Sequence, residues 1–339
     1  MFKHHEFWSP RVFEIPYYFY LGWQCLRHGI SIKTLAKANY CLDHGEIGIG
    51  SKYVTQLAFD QSHFLPTALV NASLSDSEKQ QQIEGFAKQY GYPVILKSDV
   101  GCVGKGIRKV DNIAELVEAT PLLLGDYIVQ QFTPFKFECG IFYVRQQGQG
   151  RITGVNQKHF PYVVGNGVDS LAVLARQHER YNHHWQSFLQ YLETDKIPAE
   201  GEKVNLSFIG SHTLGCKFTS DDHLLTPALE KAVLDFFDKQ PGYNFGRVDV
   251  KAENEEALKR GKFVIIEVNG VASLPTHMFD PSFSLLEAYK VFLQHAKYLA
   301  AIAKEHKNQT MDLLSYREVI QRVKTNQALL NQAHIQLKE

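Results

Sequence analysis

The chain has 339 residues, of which 44% are hydrophobic and 21% are charged, and this composition excludes a disordered or fibrous protein. It carries 36 basic and 36 acidic residues, and the lack of a basic surplus argues against nucleic acid as a partner. Five scattered cysteines, with no CxxC pair, argue against a disulfide framework. They favour a reducing compartment, so we expect a cytoplasmic location.

Residues 1–50 are rich in aromatic residues, histidine and glycine, and we expect them to be irregular. The apolar stretch Val12–Leu26 is too short for a membrane span and contains Glu14 and Pro16. No small-residue cleavage site follows it, so a signal peptide is not expected. We favour a segment that packs on the main domain, with peripheral membrane contact through residues 7–26 as the alternative.

A capping box at Ser75 and Glu78 predicts a helix, and Gly91 is placed to end it in the left-handed conformation. Apolar residues recur at helical spacing between these limits. The elements expected next, in chain order, are strands at Pro93–Lys97 and Gly106–Val110, a helix at Ile113–Ala119, strands at Tyr127–Phe132, Gly140–Arg145 and Arg151–Lys158, and a turn region at Phe160–Gly167.

The second half of the chain continues this loose alternation of helices and strands. We expect a helical stretch at Ser170–Leu192, a connector at Pro198–Lys203, a helix at Pro227–Lys239, a strand at Phe245–Val250, a charged loop at Lys251–Lys262 and a strand at Phe263–Val268. Two amphipathic helices follow, the last at Leu313–Leu337, and their apolar stripes suit the core or a homodimer contact. The order predicts an α/β or α+β fold.

A glycine-rich loop, Gly101–Gly106, joins two of the predicted strands. Gly101, Gly104 and Gly106 would let backbone N–H groups approach phosphate oxygens, and Lys97 would add a positive charge. The loop has neither the GxxxxGK[ST] pattern of a P-loop nor the GxGxxG pattern of a dinucleotide site. It fits a lid over a nucleotide or a plain glycine hairpin.

Two later strands carry polar side chains at alternate positions. Arg247 and Asp249 project from one face of their strand, and Glu267 and Asn269 do the same on the next. If these strands pair as a hairpin, Asp249, Glu267 and Asn269 converge, and their oxygens suit Mg²⁺. Arg247 would then hold a phosphoryl group or a carboxylate. The alternative is a buried ion pair between Arg247 and one of the two carboxylates.

In this order the motifs resemble the ATP-grasp superfamily, which includes D-alanine–D-alanine ligase, glutathione synthetase, cyanophycin synthetase and biotin carboxylase. The motifs that carry the resemblance, over about residues 46–305, are Ser51-Lys52 with Leu65-Pro66-Thr67, the segment Pro93–Gly106, Tyr127–Phe132 with Glu138, and Gly246–Asn269. The resemblance implies an ATP-grasp fold, in which two α+β subdomains grip ATP. The implied division is a shortened N-terminal segment (1–50), linker helices (51–90), the small subdomain (91–135), the large subdomain with a metal site (136–305) and a C-terminal helix (306–339).

The resemblance also implies a role for each matched residue. Lys52 and Lys97 would contact the ATP phosphates, Gly101, Gly104 and Gly106 would close over them, Gln130, Gln131 and the backbone of Phe132 would line the adenine, Glu138 would bind the ribose, and Asp249, Glu267 and Asn269 would hold one or two Mg²⁺ ions. Arg247, Lys97 and Lys217 would be the catalytic groups that stabilise the transferred phosphoryl group. Gln130 departs from the family, which commonly has an acidic residue there.

The implied activity is that of an ATP-dependent carboxylate–amine ligase, in which a carboxylate is activated as an acyl phosphate and then joined to an amine. The loop Phe160–Gly167 resembles one in the branch that acts on amino acids, so we expect small-molecule, amino-acid-like or peptide-like substrates. One alternative is an ATP-binding regulatory protein that performs no ligation. Another is a membrane-surface ATP-grasp enzyme with a lipid-linked substrate. A catalytic cysteine at Cys102 or Cys216 is not favoured, since neither has a histidine at a recognised spacing.

Overall fold

The computed structural model describes residues 5–47, 50–101, 104, 106–183 and 192–335. The helices in these ranges are α1 (Pro10–Phe13), α2 (Ile15–His28), α3 (Lys52–Leu57), α4 (Asp76–Tyr90), α5 (Ile113–Ala119), α6 (Leu171–Gln177), α7 (Pro227–Asp238), α8 (Glu255–Lys259), α9 (Leu285–Glu305) and α10 (Tyr316–Ile335). Short 3-10 turns join several of them, and the longest is Ile32–Asn39. None of the described helices is long and apolar enough to cross a membrane.

The described strands form a small sheet, a large sheet and a separate hairpin, and all neighbouring strands are antiparallel. The small sheet, in the order β1–β4–β2–β3, consists of β1 (Thr67–Val70), β2 (Val94–Ser98), β3 (Arg108–Val110) and β4 (Tyr127–Gln131). The large sheet, in the order β11–β10–β5–β6–β9, consists of β5 (Phe137–Gln146), β6 (Gln149–His159), β9 (Lys217–Ser220), β10 (Phe245–Ala252) and β11 (Val264–Asn269). The hairpin pairs β7 (Tyr162–Val164) with β8 (Lys203–Asn205). The predicted α+β class is confirmed.

Helices α4 and α5 cover one face of the small sheet and enclose its core, where Ile83, Leu96 and Leu116 are completely buried. The predicted capping box is present, because the Ser75 hydroxyl accepts from the Glu78 N–H and the Glu78 carboxylate accepts from the Ser75 N–H. Gly91 ends α4 with φ 85° and ψ 157°. The expected left-handed cap is therefore wrong, since φ is positive but ψ is extended.

The large sheet separates two cores. On one face, the α7 residues Phe236 and Phe237 pack against Ile141 and Val250. On the other face, α9 covers only the apolar part of the sheet, where Phe142 meets Phe292. The remainder of that second face carries charged side chains, and it is this polar area that holds the candidate site.

The N-terminal region is helical, so the expectation of irregular structure was wrong. Tyr17, Leu21 and Cys25 lie on one face of α2 and are buried against α9, with the Tyr17 and Phe292 rings stacked at 4.1 Å. The favoured packing of this segment is confirmed for that face. Pro16 stands in the first turn of α2, where proline is tolerated, so it does not interrupt the helix.

Other local expectations were also overturned. Strand β7 lies within the predicted turn region, and α8 lies within the predicted charged loop. The predicted connector is observed up to residue 202, and β8 begins at its last residue, Lys203. These elements depend on pairing and packing with distant residues, which local composition does not encode. The helical stretch expected at 170–192 is described as α6 followed by a short 3-10 turn, and residues 184–191 of it lie outside the described residues. In α10, Tyr316 and Ile320 are exposed, so that part of its apolar stripe is not in the core.

Two buried histidines lie where the segment after β11 meets α9. His295 Nε2 is 2.8 Å from the hydroxyl of Thr153, and its Nδ1 is 2.8 Å from the Val291 carbonyl. The His277 ring occupies the space that a Cβ at Gly154 would need. Burial lowers the pKa of His277 to about 3 and that of His295 to about 4. Both rings are therefore neutral at physiological pH.

These pKa values predict that acid destabilises the fold. Below about pH 6.5 each histidine takes up a proton on unfolding but not in the folded chain, so the free energy of unfolding decreases as the pH falls towards about 4. The expected slope is up to about 1.4 kcal/mol per pH unit for each histidine. Urea unfolding at about pH 7 and about pH 5 measures it. His277→Gln should show a smaller decrease than the wild type, and an equal decrease would contradict the assignment.

Candidate functional site

One row of side chains crosses the polar face of the large sheet. Asp249 on β10 lies opposite Glu267 on β11 and, on its other side, opposite Gly140 on β5. Asn156 on β6 lies opposite Gly140. Directly opposed residues project from the same face of a sheet, so Glu267, Asp249 and Asn156 line up beside a gap at the glycine. The predicted pairing of the two polar strands is confirmed.

A second row runs beside the first and carries alternating charges. Glu138 on β5 lies between Lys251 on β10 and Lys158 on β6. The Lys158 ammonium is 2.9 Å from Glu138 Oε1 and 3.3 Å from Asp249 Oδ2, and the Lys251 ammonium is 3.3 Å from Glu138 Oε2. Glu138 and Lys158 are both buried. Burying a charged group is costly unless it is paired, and these ion pairs offset that cost.

Arg247 and Asp249 form a bidentate ion pair. Arg247 donates from Nε to Asp249 Oδ1 at 2.8 Å and from one terminal nitrogen to Oδ2 at 3.1 Å, and its other terminal nitrogen donates to the Leu274 carbonyl. Burial opposes ionisation, but the charges of Arg247 and Lys158 outweigh it and hold the pKa of Asp249 below its ordinary value. The ion pair that the sequence left open as an alternative is thus present.

Gly140 leaves room for this cluster. A Cβ at that position would lie 2.5 Å from Asn156 Oδ1, 3.0 Å from Arg247 Cδ and 3.2 Å from Asp249 Oδ1. Asn156 Oδ1 accepts from the Thr276 hydroxyl at 2.6 Å, whereas Asn156 Nδ2 is buried and has no hydrogen-bond partner among the described residues. A buried donor without an acceptor is costly, so this amide is suited to a ligand oxygen.

Lys97 on β2 connects the small sheet to the large one. One extra residue, Ile266, interrupts the pairing of β11 with β10 as a β-bulge, and its carbonyl accepts a hydrogen bond of 3.0 Å from the Lys97 ammonium. Burial lowers the pKa of Lys97. Gln130 on β4 lies opposite Ile95, on the same face of the small sheet as Lys97, and its amide donates to the Thr67 hydroxyl.

Lys52 connects the glycine loop to β11. It is the first residue of α3, which Ser51 caps, and its ammonium donates to the Gly101 carbonyl at 2.5 Å and lies 3.9 Å from Glu267 Oε1. Gly104 has a φ of 78°, a conformation that favours glycine, and a Cβ there would contact Ile209. Residues 102, 103 and 105 lie outside the described residues.

Two of the predicted site side chains are not brought into the polar cluster of the cleft. The side chain of Gln131 points to the opposite face from Gln130, and its Nε2 is 3.4 Å from the Tyr90 carbonyl. The role expected of the Phe132 backbone stays a prediction; its ring centroid is 5.4 Å from the Lys109 ammonium. Lys217 pairs with His159, which places it on the other face of the large sheet from Lys158. The expected convergence of Lys217 with Arg247 and Lys97 is therefore not observed, because its position differs in strand parity.

Sequence reasoning missed four residues of the site. Asn156 and Lys158 alternate on β6, and Lys251 stands two residues after Asp249, so a period-two pattern could have identified all three. Glu46 gave no such signal. It lies outside a regular element with φ 56°, and its Oε2 accepts from the Gly270 N–H at 3.2 Å. Burial raises its pKa.

The charges around the cleft favour an anionic ligand. Five basic side chains (Lys52, Lys97, Lys158, Arg247 and Lys251) face four carboxylates (Glu46, Glu138, Asp249 and Glu267). Asp249, Glu267 and Asn269 offer the hard oxygen atoms that Mg²⁺ prefers, and Asn269 Nδ2 is 3.5 Å from Asp249 Oδ2. Within the described ranges, no group of three or more His, Cys, Asp and Glu residues is arranged to hold a metal by itself.

A family model matches the part of the chain that forms most of the small sheet. Residues 63–124 match the ATP-binding domain of the carbamoyl-phosphate synthase L chain, a match that spans less than a fifth of the chain and includes Lys97 and the glycine loop. A segment of 34 residues is 59% identical to pyruvate carboxylase 1 from Caenorhabditis elegans and covers 10% of this chain and 3% of that protein. The predicted resemblance to the ATP-grasp superfamily is thereby confirmed.

Several solved structures resemble this chain at low sequence identity. Carboxyaminoimidazole ribonucleotide synthase from Aspergillus clavatus, complexed with ATP, is 11% identical, with a TM-score of 0.43 over 74% of this chain and 52% of that chain. The D-alanyl-alanine synthetase A of Vibrio cholerae is 14% identical, with a TM-score of 0.40 and coverages of 78% and 66%. A bifunctional glutathione synthetase from Pasteurella multocida is 17% identical, with a TM-score of 0.37 and coverages of 72% and 36%. The chain thus spans one third to two thirds of these proteins, and overlap at this level does not assign their activities to it.

The crowding at Gly140 predicts that Gly140→Ala destabilises the protein and disturbs the site. The added methyl must displace Asn156, Arg247 or Asp249, at an expected cost of about 1–3 kcal/mol. Gly85 in α4 is a matched control, because a Cβ there meets nothing within 4 Å. Gly85→Ala should stabilise the protein by about 0.5–1 kcal/mol, since alanine favours a helix. Urea unfolding measures both changes, and equal effects of the two substitutions would contradict the packing described.

Proposed function

We propose that the protein is an ATP-dependent ligase that activates a small-molecule carboxylate as an acyl phosphate and joins it to an amine. The observation that carries the proposal is the contact of Lys97 with the Ile266 carbonyl, next to Glu267. It sets the basic end of the small sheet against the acidic strands of the large one. A triphosphate held between the sheets would meet Lys52 and Lys97 from one side and Arg247 from the other.

The nucleotide would bind along the cleft face of the small sheet. Lys52, Lys97 and the backbone of Gly101, Gly104 and Gly106 would contact the phosphates. An ammonium has three donors, so the present bonds of Lys52 and Lys97 to backbone carbonyls leave others for phosphate oxygens. Gln130 shares this cleft face and suits the adenine. Glu138 retains its predicted role at the ribose, where it would accept from the hydroxyls as it now accepts from two lysines.

Asp249, Glu267 and Asn269 would hold Mg²⁺, which neutralises phosphate charge and orients the transferred group when it is bound. The substrate carboxylate attacks the γ-phosphorus, ADP leaves and an acyl phosphate forms. The amine then attacks the acyl carbon, phosphate leaves and the amide remains. Arg247 and Lys97 would offset the charge that develops on the phosphoryl oxygens, and Asn156 Nδ2 would donate to an oxygen of the substrate or of the acyl phosphate.

Both substrates are proposed to be amino-acid-like or peptide-like. The support is the segment Phe160–Gly167, which here includes β7 and is held by its pairing with β8. The Tyr162 ring lies 3.7 Å from the Lys203 ammonium across this hairpin.

The buried cysteines near the cleft are not suited to covalent chemistry, because burial raises the pKa of Cys216 to about 12 and so keeps its thiol protonated.

The proposal predicts that Glu267→Gln abolishes substrate-dependent ADP release. Loss of one charged metal ligand should lower the rate on the order of 10²–10⁴-fold. The assay supplies MgATP with pooled amino acids, dipeptides, hydroxy acids and polyamines, and measures ADP. Glu118→Gln is the matched control, because Glu118 is exposed on α5 and away from the cleft.

The outcomes separate the proposals. ADP release that needs one carboxylate pool and Glu267 supports the ligase and identifies its class of acid. ADP release that Glu267→Gln leaves unchanged contradicts the metal assignment. Tight MgATP binding with no turnover in any pool favours the ATP-binding regulatory alternative. A folded protein that does not bind MgATP contradicts the proposed function altogether.

A further inference from the structure

Helix α2 is apolar on both faces. The face opposite Tyr17, Leu21 and Cys25 consists of large hydrophobic side chains exposed to solvent. We call this surface the α2 face; its members and their exposed fractions are Ile15 49%, Tyr18 59%, Phe19 78%, Trp23 51% and Leu26 81%. They recur at helical spacing, so they form one continuous stripe. A helix that is hydrophobic all round is normally covered on all sides.

Two further large apolar side chains, one after α2 in the chain and one on α9, are also exposed. Ile32, just after the Gly29 cap of α2, is 56% exposed. Leu286 is 82% exposed on α9, one turn before Tyr289, whose hydroxyl donates to the Phe13 carbonyl. Monomeric soluble proteins rarely expose contiguous apolar patches larger than a few hundred Å², and larger patches usually mark an interaction surface.

The segment that contains the α2 face has a basic surplus in its sequence. Residues 10–37 contain four basic residues (Arg11, Arg27, Lys33 and Lys37) and one acidic residue, Glu14, although the whole chain has equal numbers of each. The Lys33 ammonium lies over the Tyr316 ring and the Lys37 ammonium donates to the Lys307 carbonyl, so Arg27 is the basic side chain that we place at the α2 face. Glu14 accepts a hydrogen bond from the Tyr18 hydroxyl at 3.0 Å, and burial raises its pKa. Arg27 is exposed and lies over the Trp23 ring, 5.6 Å from its centroid.

We propose that the α2 face docks on an anionic phospholipid surface, with the helix lying in the plane of the interface. Tyrosine and tryptophan are enriched at the level of lipid headgroups, and Arg27 beside Trp23 is placed to meet a phosphate there. The basic surplus complements anionic lipid, and the apolar stripe supplies the area to be buried. The inference does not depend on the proposed enzymatic function.

The test is co-sedimentation of the full chain with vesicles of phosphatidylcholine that contain phosphatidylserine. The wild type should pellet with these vesicles, and Phe19→Gln combined with Leu26→Gln should reduce its partitioning by roughly tenfold or more, since each side chain loses most of its apolar contact with lipid. The matched control is Ile113→Gln combined with Val117→Gln, which removes two exposed apolar residues at i and i+4 on α5 and should leave partitioning unchanged.

Arg27→Gln tests the electrostatic contribution to vesicle binding. It should weaken binding to the anionic vesicles, with little effect on the weaker binding to phosphatidylcholine alone. Added salt should reduce the difference between the two vesicle types. All altered positions except Arg27 carry apolar side chains exposed to solvent, so near-ultraviolet circular dichroism of each variant is expected to match the wild type.

Two results would overturn the proposal. The first is a folded wild type that stays in the supernatant with anionic vesicles. The second is equal pelleting of the wild type and the Phe19/Leu26 variant. Sedimentation velocity without lipid tests whether a second copy of the chain covers the α2 face instead. That assignment would follow if the wild type is a dimer, the Phe19/Leu26 variant is a monomer, and neither protein binds vesicles.

Discussion

The buried charge network on the large sheet is the constraint on which the rest of the structure depends. Asp249, Arg247, Glu138, Lys158 and Lys251 lie on three adjacent strands, and each of them forms an ion pair with at least one neighbour of opposite charge. A buried ion left without its partner costs about 3–5 kcal/mol. The ion pairs of this network are therefore expected to form together. A slip of one residue between β5 and β10 would turn every side chain of one strand to the other face. The network therefore fixes the register of the central strands.

The face of the large sheet that carries the site is divided into an apolar half and a polar half. The apolar half binds α9, and α9 in turn holds α2, while the polar half is left for the cleft. The small sheet is attached at this polar half by Lys97, whose ammonium donates to the Ile266 carbonyl of β11. Lys52 adds a second link, since its ammonium donates to the Gly101 carbonyl of the glycine loop and lies 3.9 Å from Glu267 Oε1. Lysine is suited to such a contact because its mobile ammonium can share its donors between protein carbonyls and a bound anion. The β-bulge at Ile266 exposes the carbonyl that makes the contact with Lys97, so a local irregularity of one strand positions the other sheet.

Features that depend on neighbours in sequence could be predicted, and features that depend on distant partners could not. The capping box at Ser75 and the polar residues at alternate positions of β10 and β11 are local patterns, and both are observed. Lys217 was misplaced because its face depends on which residue of β6 it pairs with, a choice that the sequence of β9 alone does not contain. Glu46 reaches the site through a left-handed backbone position, which leaves no periodic signal. Helix α2 was missed because both of its faces are apolar, and amphipathic spacing was the feature sought.

The two faces of α2 also determine which experiments are informative about it. Removal of the N-terminal residues would take away Phe13, Tyr17 and Leu21, which cover Phe292 and the rest of α9. The apolar surface of α9 would then be exposed, and a truncated protein could bind vesicles through that new surface even if the α2 face had no affinity for lipid. Substitutions confined to Phe19 and Leu26 alter only side chains that already face solvent. Docking and packing can therefore be separated in this helix by changing its outer face and keeping its inner one.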